Sequence, residues 1–290
     1  MSYNINQHFF PSTQIYLNSK YADAYGGFTT YKSWCYFNFK EPIVKLPEAY
    51  DFLISLSSAE IPCSMYTVNN TNNTIIFSFY NSDDGTNFLV NKVVIPGNYS
   101  AIDLASKLTF NDVSGLVITT TYNEINNKFQ FSTTYPANIN SSAPFHFKIY
   151  AGDPNCIFGL SGKEIIQSTP DVSGNFIITS DLCVDLAGTR SIFVKCLNIH
   201  TQAFDSRTKY SGTTLGRIPL SQEPFGIVFW NNYTGFKSKC SLKNISNLEI
   251  QICDEYGNLI DFNNIDWSLT LQLDILAESP TEYKPDVPFR

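Results

Sequence analysis

Histidine and cysteine are the residue types that most directly indicate catalysis or metal binding, and this chain arranges neither for chemistry. The three histidines, His8, His146 and His200, are far apart, and no pair has a metal-binding spacing such as H-x-H or H-E-x-x-H. His146 lies between Phe145 and Phe147 in an alternating segment, which is typical of a strand. We therefore predict no metal site and no catalytic histidine.

The seven cysteines are scattered and contain no C-x-x-C pair, which argues against a structural zinc site. They occupy positions 35, 63, 156, 183, 196, 240 and 253. Met1 to His8 lack the basic and apolar regions of a signal peptide, so we expect reduced thiols that are buried like small hydrophobic side chains. A cysteine nucleophile with a distant histidine is the alternative. Cys196 and His200 would be neighbours on a helix, but a strand such as the one predicted there holds residues four apart roughly 13 Å from each other.

Two further kinds of site are excluded by spacing. Gly159–Glu164 resembles a phosphate-binding loop, but the gap between its glycines is too short, and Glu164 stands where a hydroxyl should bind magnesium. Acidic pairs fall where turns or strand ends are expected: Asp83-Asp84, Asp181 with Asp185, and Asp254-Glu255. Asp254–Asn258 does not match a calcium-binding loop. We therefore predict no catalytic, cofactor-binding or metal-binding residues, and we do not expect an enzyme.

The composition favours strands over helices. Charged residues make up 16% of the 290 residues, against roughly 25% in typical soluble domains. Aromatic residues reach 15%, and Asn, Ser and Thr replace the missing charge, a mixture that suits strands and turns. A net charge of −7 argues against a general nucleic-acid-binding protein. The longest apolar runs have the length of strands, so no membrane span is predicted.

Alternation of apolar and polar residues between Gly, Pro and Asn clusters recurs along most of the chain, as in all-β proteins. Strands are predicted at about 29–39, 51–61, 75–80, 88–95, 116–122, 127–134, 145–150, 191–199, 225–230, 248–253 and 267–276. The one clear helix is predicted at 100–108, where Ser100 and Asp103 form a capping box and Ile102, Ala105 and Leu108 share a face. Residues 201–217 are predicted to be a long loop.

This succession of elements predicts an all-β fold, a jelly-roll β-sandwich with a small α+β insertion and extended N- and C-terminal arms. Six of the predicted strands form its body: 29–39, 51–61, 191–199, 225–230, 248–253 and 267–276. The predicted boundaries are an N-terminal arm at 1–27, a jelly-roll domain at 28–276 with its insertion at about 74–160, and a C-terminal arm at 277–290.

Aromatic side chains outside the predicted strands are the candidate interface residues. Aromatic residues within strands normally belong to the core. On arms that have little local structure they are unfavourable in a monomer and useful in an interface. These candidates are Phe9, Phe10, Tyr16, Tyr21, Tyr25, Tyr283 and Phe289. Binding to a partner and packing back on the domain of the same chain are equally open.

One stretch, Asp254–Phe262 followed by Asp266–Leu271, resembles a known family. It is similar to the closing motif of penton or minor capsid proteins from virophages, polinton-like viruses and nucleocytoplasmic large DNA viruses. In that family a D-x-x-G-x-x-x-D turn precedes a final strand with the pattern W-S-hydrophobic-T-hydrophobic. This chain departs from the pattern at Asn263–Ile265, where a glycine is commoner.

Three earlier fragments agree with the family in the same order. Ile61-Pro62 followed by Asn69–Asn72 resembles the strand-ending I-P and Asn-rich turn of the family. Ile95–Ser100 resembles its P-G-N-Y-T/S lead into a short helix. Ile218-Pro219 before Phe225-Gly226 resembles its I-P…G segment ahead of a buried strand. The fragments together span roughly residues 50–275, and none is a catalytic signature.

The resemblance implies a single jelly roll and a structural role in a virion. Penton and minor capsid proteins of this kind form homopentamers at the vertices of icosahedral capsids of double-stranded DNA viruses. The partners implied are further copies of the chain, the hexameric major capsid protein and other minor capsid proteins, with no cofactor. The implied location is the virion, after assembly in the host cytoplasm. The main alternative is a carbohydrate- or receptor-binding β-sandwich module of the lectin or fibre-head kind, and an esterase-like enzyme is a more distant one.

Overall fold

The structure is a computed structural model, and it is described here for residues 12–45, 50–81, 85, 87–112, 117–134, 145–150, 157–167, 170–201, 203–204, 212–240, 242 and 244–277. Over these residues the chain is almost entirely β, with a single α-helix. All strand pairs within its sheets are antiparallel. The prediction of an all-β sandwich of the jelly-roll type is therefore confirmed.

The elements fall into three groups along the chain. The first group is β1 (Thr13–Asn18), β2 (Ala24–Tyr25), β3 (Trp34–Asn38), β4 (Val44–Lys45) and β5 (Tyr50–Pro62). The second is β6 (Thr74–Asn81), β7 (Asn87–Val93), α1 (Ala101–Leu108), β8 (Phe110–Asn111), β9 (Val117–Asn123), β10 (Lys128–Thr133), β11 (Phe145–Tyr150), β12 (Ile165–Gln167) and β13 (Phe176–Thr179). The third is β14 (Ser191–Cys196), β15 (Thr214–Pro219), β16 (Ile227–Asn231), β17 (Ser238–Cys240), β18 (Asn244–Ile245), β19 (Asn247–Cys253) and β20 (Ser268–Ala277).

The chain divides into two compact units. The first unit combines Met1–Met65 with Thr189–Arg290, and the second is Tyr66–Gly188. In the first unit one sheet has the order β1-β20-β5-β16, with β17 also paired to β5, and the other has the order β15-β14-β19-β3-β2. Side chains from both sheets form one core, which makes this unit a sandwich. All six strands predicted for the jelly-roll body lie in this unit.

Strand β20 illustrates why the sequence folds in this way. Leu269, Leu271 and Leu273 are buried and alternate with Ser268 and the other polar residues of the strand, because successive side chains of a strand point to opposite faces. The strand lies between β1 and β5, so its apolar row reaches the centre of the core.

The second unit contains two four-stranded sheets, with the orders β13-β10-β9-β8 and β12-β11-β6-β7. Its core is rich in phenylalanine. Phe77 on β6 contacts Phe131 on β10 with ring centroids 5.8 Å apart, and it stacks on Phe147 of β11 at 6.3 Å. Because β6 and β10 belong to different sheets, this ring cluster joins the two sheets of the unit.

The helix begins as predicted, but its buried face differs from the prediction. Ser100 is the N-cap residue, and its Oγ accepts a hydrogen bond from the Asp103 amide at 3.1 Å. Leu104, Ala105 and Leu108 are buried, whereas Ile102 is exposed. The prediction that Ile102 shares the buried face is wrong, because Leu104 and Leu108, four residues apart, define that face instead.

The structure also corrects the N-terminal prediction. Residues 1–27 were expected to be irregular, but Thr13–Asn18 forms β1 and pairs with β20, and Ala24–Tyr25 pairs with β3. Strand β3 is shorter than the predicted 29–39, since Thr29–Tyr31 forms a turn. The predicted loop at 201–217 ends early, because Thr214 begins β15. The predicted C-terminal arm from residue 278 onward lies outside the described residues.

Candidate interaction surface

The histidines stand apart from one another in the described chain. His146, on β11, stacks against Tyr80 of β6 with ring centroids 6.1 Å apart, and His200 is exposed after the end of β14. His8 lies outside the described residues. Within the described part of the chain, no three His, Cys, Asp or Glu side chains lie close enough together to hold a metal ion.

The six described cysteines are free thiols, and only Cys183 among them is exposed. Burial raises the pKa of Cys35 and of Cys196 to about 12, so both remain protonated at neutral pH. The Cys196 thiol donates to Asn198 Oδ1 at 3.1 Å. A protonated, buried thiol is a poor nucleophile.

No helix in the described residues has the length and apolar character needed to cross a membrane.

A polar cluster at the start of β20 fastens two distant segments of the first unit to that strand, and we call it the Asp266 junction. Asp266 Oδ1 accepts hydrogen bonds from Ser19 Oγ at 2.9 Å and from Lys32 Nζ at 2.7 Å. The next residue, Trp267, is buried, and its Nε1 donates to the Lys32 carbonyl at 2.6 Å. The Trp267 amide donates to Ser19 Oγ at 3.1 Å.

The charge at this junction is stabilised by its donors. Burial alone would raise the pKa of Asp266, but the hydrogen bonds from Lys32 and Ser19 outweigh it and hold the pKa below its usual range. Tyr25 belongs to the same end of the unit, since its hydroxyl donates to the Ser19 carbonyl at 2.7 Å. The junction therefore fastens Ser19 and Lys32 to the start of β20.

A hollow of about 330 Å³ lies beside this junction in the first unit. Cys63, Ser64, Phe225 and Trp267 are among its lining residues. The Ser64 hydroxyl donates to the Phe262 carbonyl at 2.7 Å, and Asp266 is engaged by Lys32 and Ser19. The Ser64 hydroxyl and the Asp266 carboxylate beside this hollow are therefore engaged within the chain.

The predicted interface residues are only partly described. Tyr16 and Tyr21 are exposed by about three quarters of their surface, whereas Tyr25 is partly buried against the first core. Phe9, Phe10, Tyr283 and Phe289 lie outside the described residues. The structure thus brings Tyr16 and Tyr21 to the surface of the first unit, and their binding role remains a prediction.

One apolar exposed surface of the first unit is not identified by the strand pattern. Phe225, Ile227, Phe229 and Tyr233 are all half exposed or more, on and beside strand β16. Val228 on the same strand faces the core and is buried. The segment Phe225–Phe236 contains no charged residue, which is the sequence signal for this surface. We call these four exposed side chains the β16 patch.

Phe225 is held in this patch by a strained turn. Gly226 N donates to the Glu223 carbonyl at 3.0 Å across a turn in which Phe225 has φ +70°. A positive φ at the third position is the mark of a type II turn and favours glycine, so a phenylalanine there is unusual. Two backbone hydrogen bonds with Cys63, of 2.8 and 2.9 Å, fix the turn to the end of β5. The aromatic ring is 80% exposed.

Comparisons with known proteins find structural similarity only among solved structures. No protein-family model matches the chain, and no curated protein matches it. Among solved structures, the chain is similar to the crystal structure of the selenomethionine-labelled mavirus penton protein, with a TM-score of 0.45 and 10% sequence identity. The match covers 90% of this chain and 99% of that protein.

Proposed function

We propose that this chain is a structural protein of a virus capsid, a penton or minor capsid protein that assembles as a homopentamer and contacts the major capsid protein. The observation that carries this proposal is the ordered set of sequence fragments that resemble that protein family, from Ile61-Pro62 to Asp266–Leu271. The proposed location is the virion, after assembly in the host cytoplasm.

The positions of these fragments support a role in shape and assembly. Asp254 Oδ1 accepts hydrogen bonds from the amides of Tyr256 and Asn258 at 2.9 and 2.8 Å, and Gly257 supplies φ +88° to the same turn. This closes a tight turn after β19. Trp267 immediately precedes the last strand and is fixed by the Asp266 junction. These motif residues bend the chain and join strands. Such roles are expected in a structural protein that acts through contacts with other subunits.

The lead into the helix is built in the same way. Asn98 Oδ1 accepts a hydrogen bond from the Thr67 amide at 2.8 Å, and Gly97 pairs with Val68 in an isolated bridge. The Tyr99 hydroxyl donates to the Ile95 carbonyl at 2.8 Å. The P-G-N-Y-S fragment therefore positions the N-cap of α1, with its polar groups used within the chain.

The apolar exposed surface also supports a protein partner. In a monomer Phe225, Ile227 and Phe229 are exposed to water, which is unfavourable for apolar side chains. Exposed apolar patches of this kind usually mark protein–protein contacts. A capsid subunit buries such a surface against its neighbours.

The proposal is tested by native mass spectrometry of the purified chain and by cryo-electron microscopy of virions that contain it. We expect a complex of five copies in solution and density for five copies at each icosahedral vertex. Density under the facets would favour the minor capsid form of the proposal. Absence of the chain from purified virions would overturn it.

A glycan array distinguishes the lectin-like or fibre-head alternative from the capsid proposal. Selective binding to a glycan by a chain that is absent from virions would favour that alternative. A chain that is present at vertices and binds no glycan would favour the penton.

A further inference from the structure

A second hollow of the first unit, of about 630 Å³, combines exposed aromatic rings with polar side chains. Tyr16 and Tyr21 line it, and each is exposed by about three quarters of its surface. We call it the tyrosine hollow. Its polar lining includes Asn18, Glu60 and Ser268. Its volume lies within the roughly 300–1,000 Å³ that is usual for small-molecule sites.

The register of three neighbouring strands brings these polar side chains into one row. Asn18 of β1 pairs with Ser268 of β20, and Ser268 pairs with Glu60 of β5. Each of the three is adjacent in sequence to a buried core residue, namely Leu17, Leu269 and Ala59. Because successive side chains of a strand point to opposite faces, the row lies on the outer face of the sheet.

Two groups of this row keep hydrogen-bonding capacity for a ligand. Asn18 Oδ1 accepts from the Lys20 amide at 2.9 Å, which fixes the side chain and leaves the Nδ2 donors. The Ser268 hydroxyl donates to Glu60 Oε2 at 2.9 Å, which leaves Oε1 as an acceptor. Within the described residues, neither Asn18 Nδ2 nor Glu60 Oε1 bonds to the chain. In the smaller hollow, by contrast, the hydroxyl and the carboxylate described above are engaged.

Both tyrosine rings are held by local contacts. The Tyr16 hydroxyl donates to Gln14 Oε1 at 2.6 Å. Tyr21 ends the 3₁₀ turn Ser19–Tyr21, and Lys20 Nζ lies 5.9 Å from the centre of its ring. Side chains that are already ordered lose less conformational freedom when a ligand binds. The hollow is therefore partly organised before binding.

This combination of groups matches the chemistry of a sugar. A sugar ring has C–H groups on its face, which pack against the negative face of an aromatic ring. Its hydroxyls both donate and accept, so they can donate to Glu60 and accept from Asn18. A purely apolar ligand would bury both polar side chains without partners, which is unfavourable.

The charge of the lining favours a neutral ligand. Asp23 and Glu60 are the charged side chains of the described lining, so an anionic ligand would be repelled. One oxygen of Asp23 is already used, because Oδ2 accepts from the Asn38 amide at 2.6 Å. The remaining negative charge is small for a polycation and does not oppose a neutral one, whose hydroxyls need only an acceptor.

We propose that the tyrosine hollow binds a short neutral oligosaccharide, with sugar rings packed against Tyr16 and Tyr21 and hydroxyls bonded to Asn18 and Glu60. This site goes beyond the proposed capsid role, whose contacts are with proteins. It gives the two described tyrosines that the sequence marked as interface residues a carbohydrate as their partner.

The first test applies the full chain to an array of neutral, sialylated and sulfated oligosaccharides, followed by calorimetric titration with the neutral oligosaccharide that binds best. Tyr21→Ala should lower its affinity by about tenfold or more, because the ring that covers the sugar is lost. Tyr233→Ala is the matched control, since Tyr233 is exposed in the same unit and does not line the hollow. It should leave the affinity unchanged. Circular dichroism and the thermal midpoint establish that each variant is folded.

The second test concerns the acceptor. Glu60→Gln keeps the shape of the side chain and removes its charge, and it should lower the affinity by about three- to tenfold, since hydrogen bonds to charged groups are the stronger ones. Glu124→Gln, at an exposed turn of the second unit, should have no effect. Because the ligand is uncharged, its affinity should be the same at low and high salt.

Three results would overturn the sugar site. The first is that no neutral oligosaccharide binds. The second is an equal loss of affinity in Tyr21→Ala and Tyr233→Ala, which would place the sugar elsewhere. The third is binding of an arginine-rich peptide, with no glycan bound, that disappears at high salt and in Glu60→Gln, which would assign the hollow to a basic partner.

The sugar site and the capsid role are judged by different measurements. The presence of the chain in virions tests the capsid role, and the array and titrations test the hollow. A chain that lies at vertices and binds the oligosaccharide supports both proposals, and either one can fail alone.

Discussion

The two units build the same kind of antiparallel two-sheet structure around different cores. The core of the second unit contains seven phenylalanines: Phe77, Phe79, Phe129, Phe131, Phe147, Phe158 and Phe176. The core of the first unit is mainly aliphatic and contains four cysteines: Cys35, Cys63, Cys196 and Cys240. The alternation of apolar and polar residues specifies the strands in both units, whether the apolar residues of the core are aromatic or aliphatic. The alternation does not determine which contacts stabilise each core. These are ring–ring contacts in the second unit, and aliphatic packing together with a polar junction in the first.

The largest expected effect tests whether the ring cluster belongs to the second unit alone. Phe77→Ala removes a buried ring whose centroid lies 5.4 Å from that of Phe110 and 5.8 Å from that of Phe131. We expect the free energy of unfolding of the second unit to fall by about 3–5 kcal/mol, from lost burial and the cavity left behind. Hydrogen exchange measured by mass spectrometry should show lost protection in peptides from Tyr66–Gly188.

Phe52→Ala is the reciprocal control, because Phe52 is fully buried in the first core. It should expose peptides of the first unit and leave those of Tyr66–Gly188 protected. Equal loss of protection in both units after either substitution would contradict the separation of the two cores.

The second effect concerns the Asp266 junction of the first unit. Asp266→Asn weakens the hydrogen bonds from Lys32 and Ser19, and we expect a loss of about 1.5–3 kcal/mol near pH 7, as for bonds to charged groups. The three tryptophans, Trp34, Trp230 and Trp267, all lie in the first unit. Urea unfolding followed by tryptophan fluorescence therefore reports on this unit.

The stability lost in Asp266→Asn should decrease as the pH is lowered. The native pKa of Asp266 is lowered, so its contribution is present above the unfolded-state value of about 3.9 and disappears as the pH falls through the native value. The difference between wild type and Asp266→Asn should thus shrink on acidification. Glu124→Gln, at an exposed turn position of the second unit, should leave tryptophan-monitored unfolding unchanged at each pH. A difference independent of pH would contradict the ionic role of Asp266.

The sequence predicted the central strands well, because their alternation is long. Leu269, Leu271 and Leu273 repeat every second residue, and that pattern alone places β20 in a core. The edge strand β1 was missed because its apolar repeat is only Ile15 and Leu17, and its pairing comes from β20 near the other end of the chain. A short pattern cannot establish a pairing between segments so far apart.

The β16 patch and the Asp266 junction were less predictable, again because a local sequence pattern does not show which distant segments meet. Ile227 to Trp230 are apolar on both faces of β16, which reads in the sequence as a fully buried strand. In the structure, the exposure of Ile227 and Phe229 shows that one face is open, and the strand order shows that β16 has one unpaired side among the described strands. The Asp266 junction unites Ser19, Lys32 and Asp266, which are too distant in the sequence for any local motif to connect them.

A smaller effect is expected at the helix of the second unit. Ser100→Ala removes the side-chain oxygen that accepts from the Asp103 amide, and N-cap substitutions of this kind cost about 1 kcal/mol. Amide exchange in the first turn of α1 should speed up while the strands of the first unit are unaffected. Ser106→Ala, at an exposed position within the helix, should leave that exchange unchanged or slow it, since alanine favours helix. Equal acceleration by both substitutions would show that the cap is not the cause.

The smallest effect has the opposite sign and concerns the strained turn of the first unit. Phe225 at φ +70° bears a strain of about 1–2 kcal/mol that glycine avoids, while glycine adds about 0.5–1 kcal/mol of chain entropy to be lost on folding. Phe225→Gly should therefore stabilise the first unit by roughly 0.5 kcal/mol in tryptophan-monitored urea unfolding. Phe229→Gly is the matched control, because that exposed ring sits on regular strand backbone, and it should destabilise by about 1 kcal/mol. If both substitutions destabilise equally, the Phe225 ring contributes packing that outweighs its strain. If Phe225→Gly stabilises the monomer yet weakens its self-association, the strain is maintained because the ring is needed in a contact.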